Sequence, residues 1–153
     1  MQAYPHQYRV QALAESEGDV RLAGAGLPPL ASAPPPEFGG PGDRWSPETL
    51  LAAAVADCFV LTFRAIARAS KFAWTSLDCE VEGVLDQVDG STRFTAFTLT
   101  VALAADRSAA AGPDLDREAQ KARRLLQKAE HSCLITQSLR ADTHLDISID
   151  LNP

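Results

Sequence analysis

Most of the short patterns that announce a function are missing from this 153-residue chain. It has no GxGxxG turn, no Walker loop, no GxSxG elbow and no HExxH helix, which removes most nucleotide-binding, hydrolase and metalloprotease readings. Cysteine is scarce, with three residues at 58, 79 and 133 and no CxxC. An odd, scattered set is not a secreted disulfide framework, and no zinc-ligand spacing is present. His6, His131 and His144 are equally scattered, so no metal site is expected. Positive charge is also in deficit. A formal net charge of -6 disfavours nucleic acid and anionic membrane surfaces as partners. The first residues, Met1 to Tyr8, lack the apolar run of a signal peptide, and no internal repeat is visible. Free thiols in a chain of this kind point to the reducing cytoplasm, where cysteines are buried, metal-bound or catalytic.

What is present is the composition of one soluble domain spanning residues 1–153, with 46% hydrophobic and 22% charged residues. The longest apolar run, Leu50 to Ala67, has the length of a membrane span, but Asp57 and Arg64 interrupt it. Each would cost about 2.5–3.5 kcal/mol at a bilayer centre, so the expected setting is a helix buried by protein, not lipid.

The order of elements can be read along the chain. His6–Ala12 and Asp19–Ala23 form a hairpin around Gly18. Pro28 to Gly42, rich in proline and glycine, reads as a long loop of the kind that is often functional. Ser46, Pro47 and Glu48 are an N-cap, a first-turn proline and a first-turn acid, with Trp45 and Leu50 placed as a hydrophobic staple. They start a helix that runs to about Ser70, and alanines at 52, 53, 54 and 56 let a neighbour approach it closely. Leu77, Cys79, Val81 and Leu85 alternate with polar residues in a strand. Asp89-Gly90 turns it into a return strand, Arg93 to Leu103, with Phe97, Leu99, Val101 and Leu103 on one face. A second helix is predicted from about Asp114 to Glu130, with acids at its start and bases toward its end. A helical turn near Cys133 to Leu139, capped by Ser132, and a last strand through Leu145, Ile147, Ile149 and Leu151 complete an α+β fold.

Taken singly, the chemistry-bearing residues are unremarkable in kind. Cys58 in mid-helix can be a small buried hydrophobe. Cys133 at a helix start gains a setting that lowers a thiol's pKa. Cys79 reads as core and remote from both. Glu48 suits any helix N-terminus.

Their arrangement says more. Phe38-Gly39-Gly40-Pro41-Gly42, then Ser46-Pro47-Glu48-Thr49-Leu50-Leu51-Ala52-Ala53-Ala54, then Cys58-Phe59 ten residues after the glutamate, resembles the central motif of the OsmC/Ohr family. Cys133, in Lys128-Ala129-Glu130-His131-Ser132-Cys133-Leu134-Ile135, falls where that family carries its second cysteine, and the likeness runs from about residue 38 to 150. The resemblance implies an intertwined α+β homodimer with antiparallel sheets wrapped around central helices. It also implies reduction of organic or inorganic hydroperoxides by a Cys58–Cys133 pair, with Glu48 in the site, an external dithiol as reductant and no metal or organic cofactor. A redox sensor or small-molecule-binding protein on the same scaffold is the alternative.

There are two departures. The arginine that the family places early in its N-terminal strands falls near Ser16 here, which leaves Arg9, Arg21 and Arg44 as candidates to support the thiolate. The residue after the second cysteine, often proline in the family, is Leu134. Glu48 and Cys58 are about 15 Å apart along one helix, so a second chain or a long arginine is expected to complete the site.

Overall fold

The structure is a computed structural model that describes residues 3–106 and 115–152. Asp114, expected to open the second helix, lies outside them, as do the first two residues. Contacts divide the chain into two compact units, Met1–Leu51 and Ala52–Pro153.

The first unit holds a three-stranded antiparallel sheet in the order β1 (Gln11–Leu13), β2 (Val20–Ala23), β3 (Leu30–Ser32). Ala12 faces Leu22 across the expected hairpin, but its first strand starts at Gln11, not His6. The expected loop from Pro28 to Gly42 is corrected further. It contains β3, hydrogen-bonded to β2, and a 3-10 turn at Pro36–Phe38. A three-residue strand between prolines shows no periodicity, because its order comes from the non-local ladder with β2. Gly40 has a steric role: a Cβ there would lie 1.5 Å from the Pro34 carbonyl oxygen. Any side chain at that position would force the loop apart.

Helix α1 (Pro47–Ala69) begins in the first unit and continues into the second. Its start is capped reciprocally. The Thr49 amide donates to Ser46 Oγ (3.2 Å), and the Ser46 amide donates to Thr49 Oγ1 (2.8 Å). Two otherwise orphaned amides are thereby satisfied, in the manner of a capping box.

The second unit is a sheet in the order β4 (Ser76–Val88), β5 (Ser91–Asp106), β6 (Asp142–Asn152), with helices α2 (Leu115–His131) and α3 (Leu134–Gln137). β4 and β5 form a long antiparallel hairpin. Asp89 (φ 52°) and Gly90 (φ 76°) are both left-handed, as a two-residue turn matched to the strand twist requires. β6 returns parallel to β5 by way of α2, which packs on it. The predicted β5 face is the core, with Phe97, Leu99 and Val101 at 0% and Leu103 at 1% exposure. On α2, Ala122, Leu126 and Ala129 are buried one turn apart. On α1 the buried stripe is Val55, Phe59, Phe63 and Ala67.

Candidate active site

Cys58 sits beside that α1 stripe, about 100° round the helix from Phe59. Ala54, Cys58, Leu61, Thr62, Ala65 and Ile66 recur at one-turn spacing and form one wall of an open groove of about 650 Å³. Leu134 and Ile135 of α3, with Lys128 and Ser132, form the opposite side. Cys58 is half-buried in this largely apolar groove, whereas Cys133 is completely buried.

Cys133 reaches the site because α2 ends just before it. The Ser132 amide still bonds to the Lys128 carbonyl, so Ser132 completes α2. The N-cap of α3 is Cys133 itself, correcting the expectation for Ser132. α3 is held by Thr136, whose hydroxyl donates to the Cys133 carbonyl (3.1 Å).

The two thiols are near enough for each to shift the other's protonation. Burial pushes Cys58 up, but hydrogen bonds from the Cys133 thiol, the Ile135 amide, the Thr62 hydroxyl and the Leu134 amide outweigh it and leave Cys58 below the ordinary thiol value. Cys133 moves the other way, raised by burial and by its bond to Cys58, with Thr136 opposing in part. The asymmetry gives one thiol that ionises first and one that keeps its proton.

Cys79 is not remote. It lies on β4 opposite Val101, half-buried, and burial, Asp78 and Cys133 together push it up to about 11. Strand alternation put it on the helix-facing side, but only the packing of the Cys133 turn brings the two thiols within electrostatic range.

Glu48 lies in the first unit, against a pocket of about 450 Å³ walled by Val20, Leu22, Phe38 and Leu50. Its Oε2 is a buried side-chain oxygen with no hydrogen-bond partner among the described residues. None of the three early arginines meets it. Arg44 pairs with Asp19 (2.7 Å) and Asp43 (3.0 Å), Arg9 donates to Gln7 Oε1 (3.1 Å), and Arg21 is exposed on β2.

The family model for OsmC-like proteins matches residues 40–148. The chain belongs to the OsmC family. Among curated relatives of this OsmC-like chain is the peroxiredoxin OsmC of Escherichia coli, 31% identical over 104 residues, which are 68% of this chain and 66% of that protein. An OsmC-like protein of unknown function from Vibrio cholerae shares the fold with a TM-score of 0.81 at 18% identity, covering 94% of this chain and 100% of that one. The organic hydroperoxide resistance protein OsmC of Legionella pneumophila matches at 26% identity and a TM-score of 0.64, over 97% of this chain and 100% of its own. The α+β architecture expected from sequence is therefore that of an OsmC-like protein. Sequence reasoning missed Thr62, four residues after Cys58, although that spacing alone places it on the same helix face.

Proposed function

We propose that this OsmC-like protein is a thiol peroxidase that reduces organic or inorganic hydroperoxides through Cys58 and Cys133. The observation that carries this reading is the neighbouring pair of unlike thiols, Cys58 lowered and lining the groove, Cys133 raised and buried behind it.

The Cys58 thiolate attacks the distal oxygen of the hydroperoxide. The O–O bond breaks, the alcohol or water leaves with a proton, and Cys58 becomes a sulfenic acid. Cys133 sulfur then displaces the sulfenic oxygen, which takes up the thiol proton and departs as water. The two electrons lost by the pair have gone to the cleaved O–O bond, and an external dithiol supplies two more to reduce the disulfide while itself becoming a disulfide. Leu61, Leu134 and Ile135 give the groove an apolar lining suited to an alkyl hydroperoxide.

We further infer that residues 1–153 act as one OsmC-like domain in a cytoplasmic C2 homodimer, and that Glu48 is completed in that assembly. The support is the bare surface of α1. The helix is long and apolar enough to cross a membrane, yet only 22% of its most apolar window is buried within the chain. A second copy would cover it.

Stepwise titration with a hydroperoxide, followed by intact mass, tests the chemistry. One equivalent is expected to remove two hydrogens from the protein, with Cys58 and Cys133 linked. Unchanged mass and unconsumed peroxide would reject the peroxidase in favour of a sensor or binding role.

A further inference from the structure

A helical threonine ordinarily turns its hydroxyl back to the carbonyl one turn earlier. Thr62 does not. The residue one turn earlier is Cys58, and among the described residues the hydrogen-bond partner of Thr62 Oγ1 is Cys58 Sγ, at 4.0 Å. The two side chains share one helix face and one groove. Leu134 and Ile135 line the opposite wall, and their amides add to the lowering of Cys58. Among the described residues, no arginine or histidine lines this groove. The charges facing it are of opposite sign, Asp57 from α1 and Lys128 from α2; the titratable thiol beside Cys58 is Cys133, while Cys79 of β4 is itself raised by Cys133 and is not among the groups that shift Cys58.

We propose that Thr62 is a positioning residue for Cys58, its hydroxyl completing with the Leu134 and Ile135 amides a cradle of neutral donors for the thiolate. This rests on Cys58 being the working thiol of the proposed peroxidase. Of the side chains that donate to Cys58, Cys133 is consumed when the disulfide forms. Thr62 is unchanged in every state of the cycle and is available when Cys58 is released again as thiolate. Hydrogen bonds to the charged form favour ionisation, and the electronegative oxygen brings no net charge that a groove for apolar substrates would have to desolvate.

The test is peptide-resolved alkylation of Cys58 by iodoacetamide as a function of pH, on the full-length protein. Thr62→Val keeps the side-chain shape and removes the hydroxyl. Its Cys58 midpoint is expected to rise by roughly 0.5–1 pH unit, which is about three- to tenfold slower capture below the midpoint. Thr62→Ser restores the donor and is expected to keep the midpoint of the parent protein. If Thr62→Val does not fold, Thr62→Ala takes its place, with circular dichroism as the check. An unchanged midpoint in a folded variant lacking the hydroxyl, or a Thr62→Ser midpoint matching that of Thr62→Val, overturns the proposal. Because alkylation needs no peroxide, a shifted midpoint in a protein that consumes no hydroperoxide would uphold the cradle and reject the peroxidase.

Discussion

At the scale of the residue, the three cysteines differ in protonation and in access, and both differences yield expectations. Cys58 lies below the ordinary thiol value, so its thiolate persists to lower pH than a free cysteine's. The rate of peroxide reaction is expected to be level above the Cys58 midpoint and to fall as pH drops through it, with the midpoint on the acid side of a free thiol in a stopped-flow pH series. Cys79, pushed up to about 11, stays protonated near neutrality and is expected to be alkylated last. Replacing Cys58 with serine is expected to abolish hydroperoxide consumption. Cys133→Ser is expected to retain the first turnover while Cys58 gains further oxygens, visible as added mass. Equal and complete loss of the first turnover in both variants would contradict the division of roles.

At the scale of the element, the cap of α1 is a local device whose worth can be measured. Ser46→Ala removes the hydroxyl that accepts from Thr49 and is expected to cost about 0.5–2 kcal/mol in urea unfolding. Leu126→Ala, in the fully buried stripe of α2, is expected to cost more, about 2–5 kcal/mol. The difference between these two sites also explains what was legible in the sequence. Caps, the Asp89-Gly90 turn and the alternation of β5 are written within a few neighbouring residues, so α1 and the β4–β5 hairpin were readable. β3 and the parallel placement of β6 were not, because the hydrogen bonds that define them join residues distant in sequence. The proposed pairing of Cys58 with Cys133 was suggested in the sequence only by a family resemblance. The closeness of Cys79 to Cys133 was not legible, since it depends on how one turn after α2 packs against a strand. The same holds for the early arginines: the spacing left three candidates, and the structure joins none of them to Glu48.

At the scale of the whole molecule, a single chain leaves much of apolar α1 uncovered, with 22% of its most apolar window buried. Leu61 is 49% exposed, and at the N-terminus Tyr8 and Val10 are 92% and 82% exposed. A C2 dimer burying well above ~2,000 Å², the range of obligate pairs, is expected to cover such surface. Sedimentation velocity at micromolar concentration is expected to show a dimer that does not dissociate on dilution. A stable monomer there would overturn both the assembly and the completion of Glu48 by it.

The complete burial of Cys133 gives the return half of the proposed cycle a direction. Once the disulfide exists, only the Cys58 sulfur faces the groove, so an incoming reductant thiolate is steered onto it and Cys133 is expelled. Leaving-group strength alone would favour the reverse, because Cys58 is the more acidic thiol; geometry overrules it. A dithiol reductant stripped of its own second cysteine is therefore expected to become stranded on this protein as a mixed disulfide at residue 58, identifiable by peptide mapping. The one accessible sulfur would thus serve as an address, admitting electrons from the same side by which the oxidant came in.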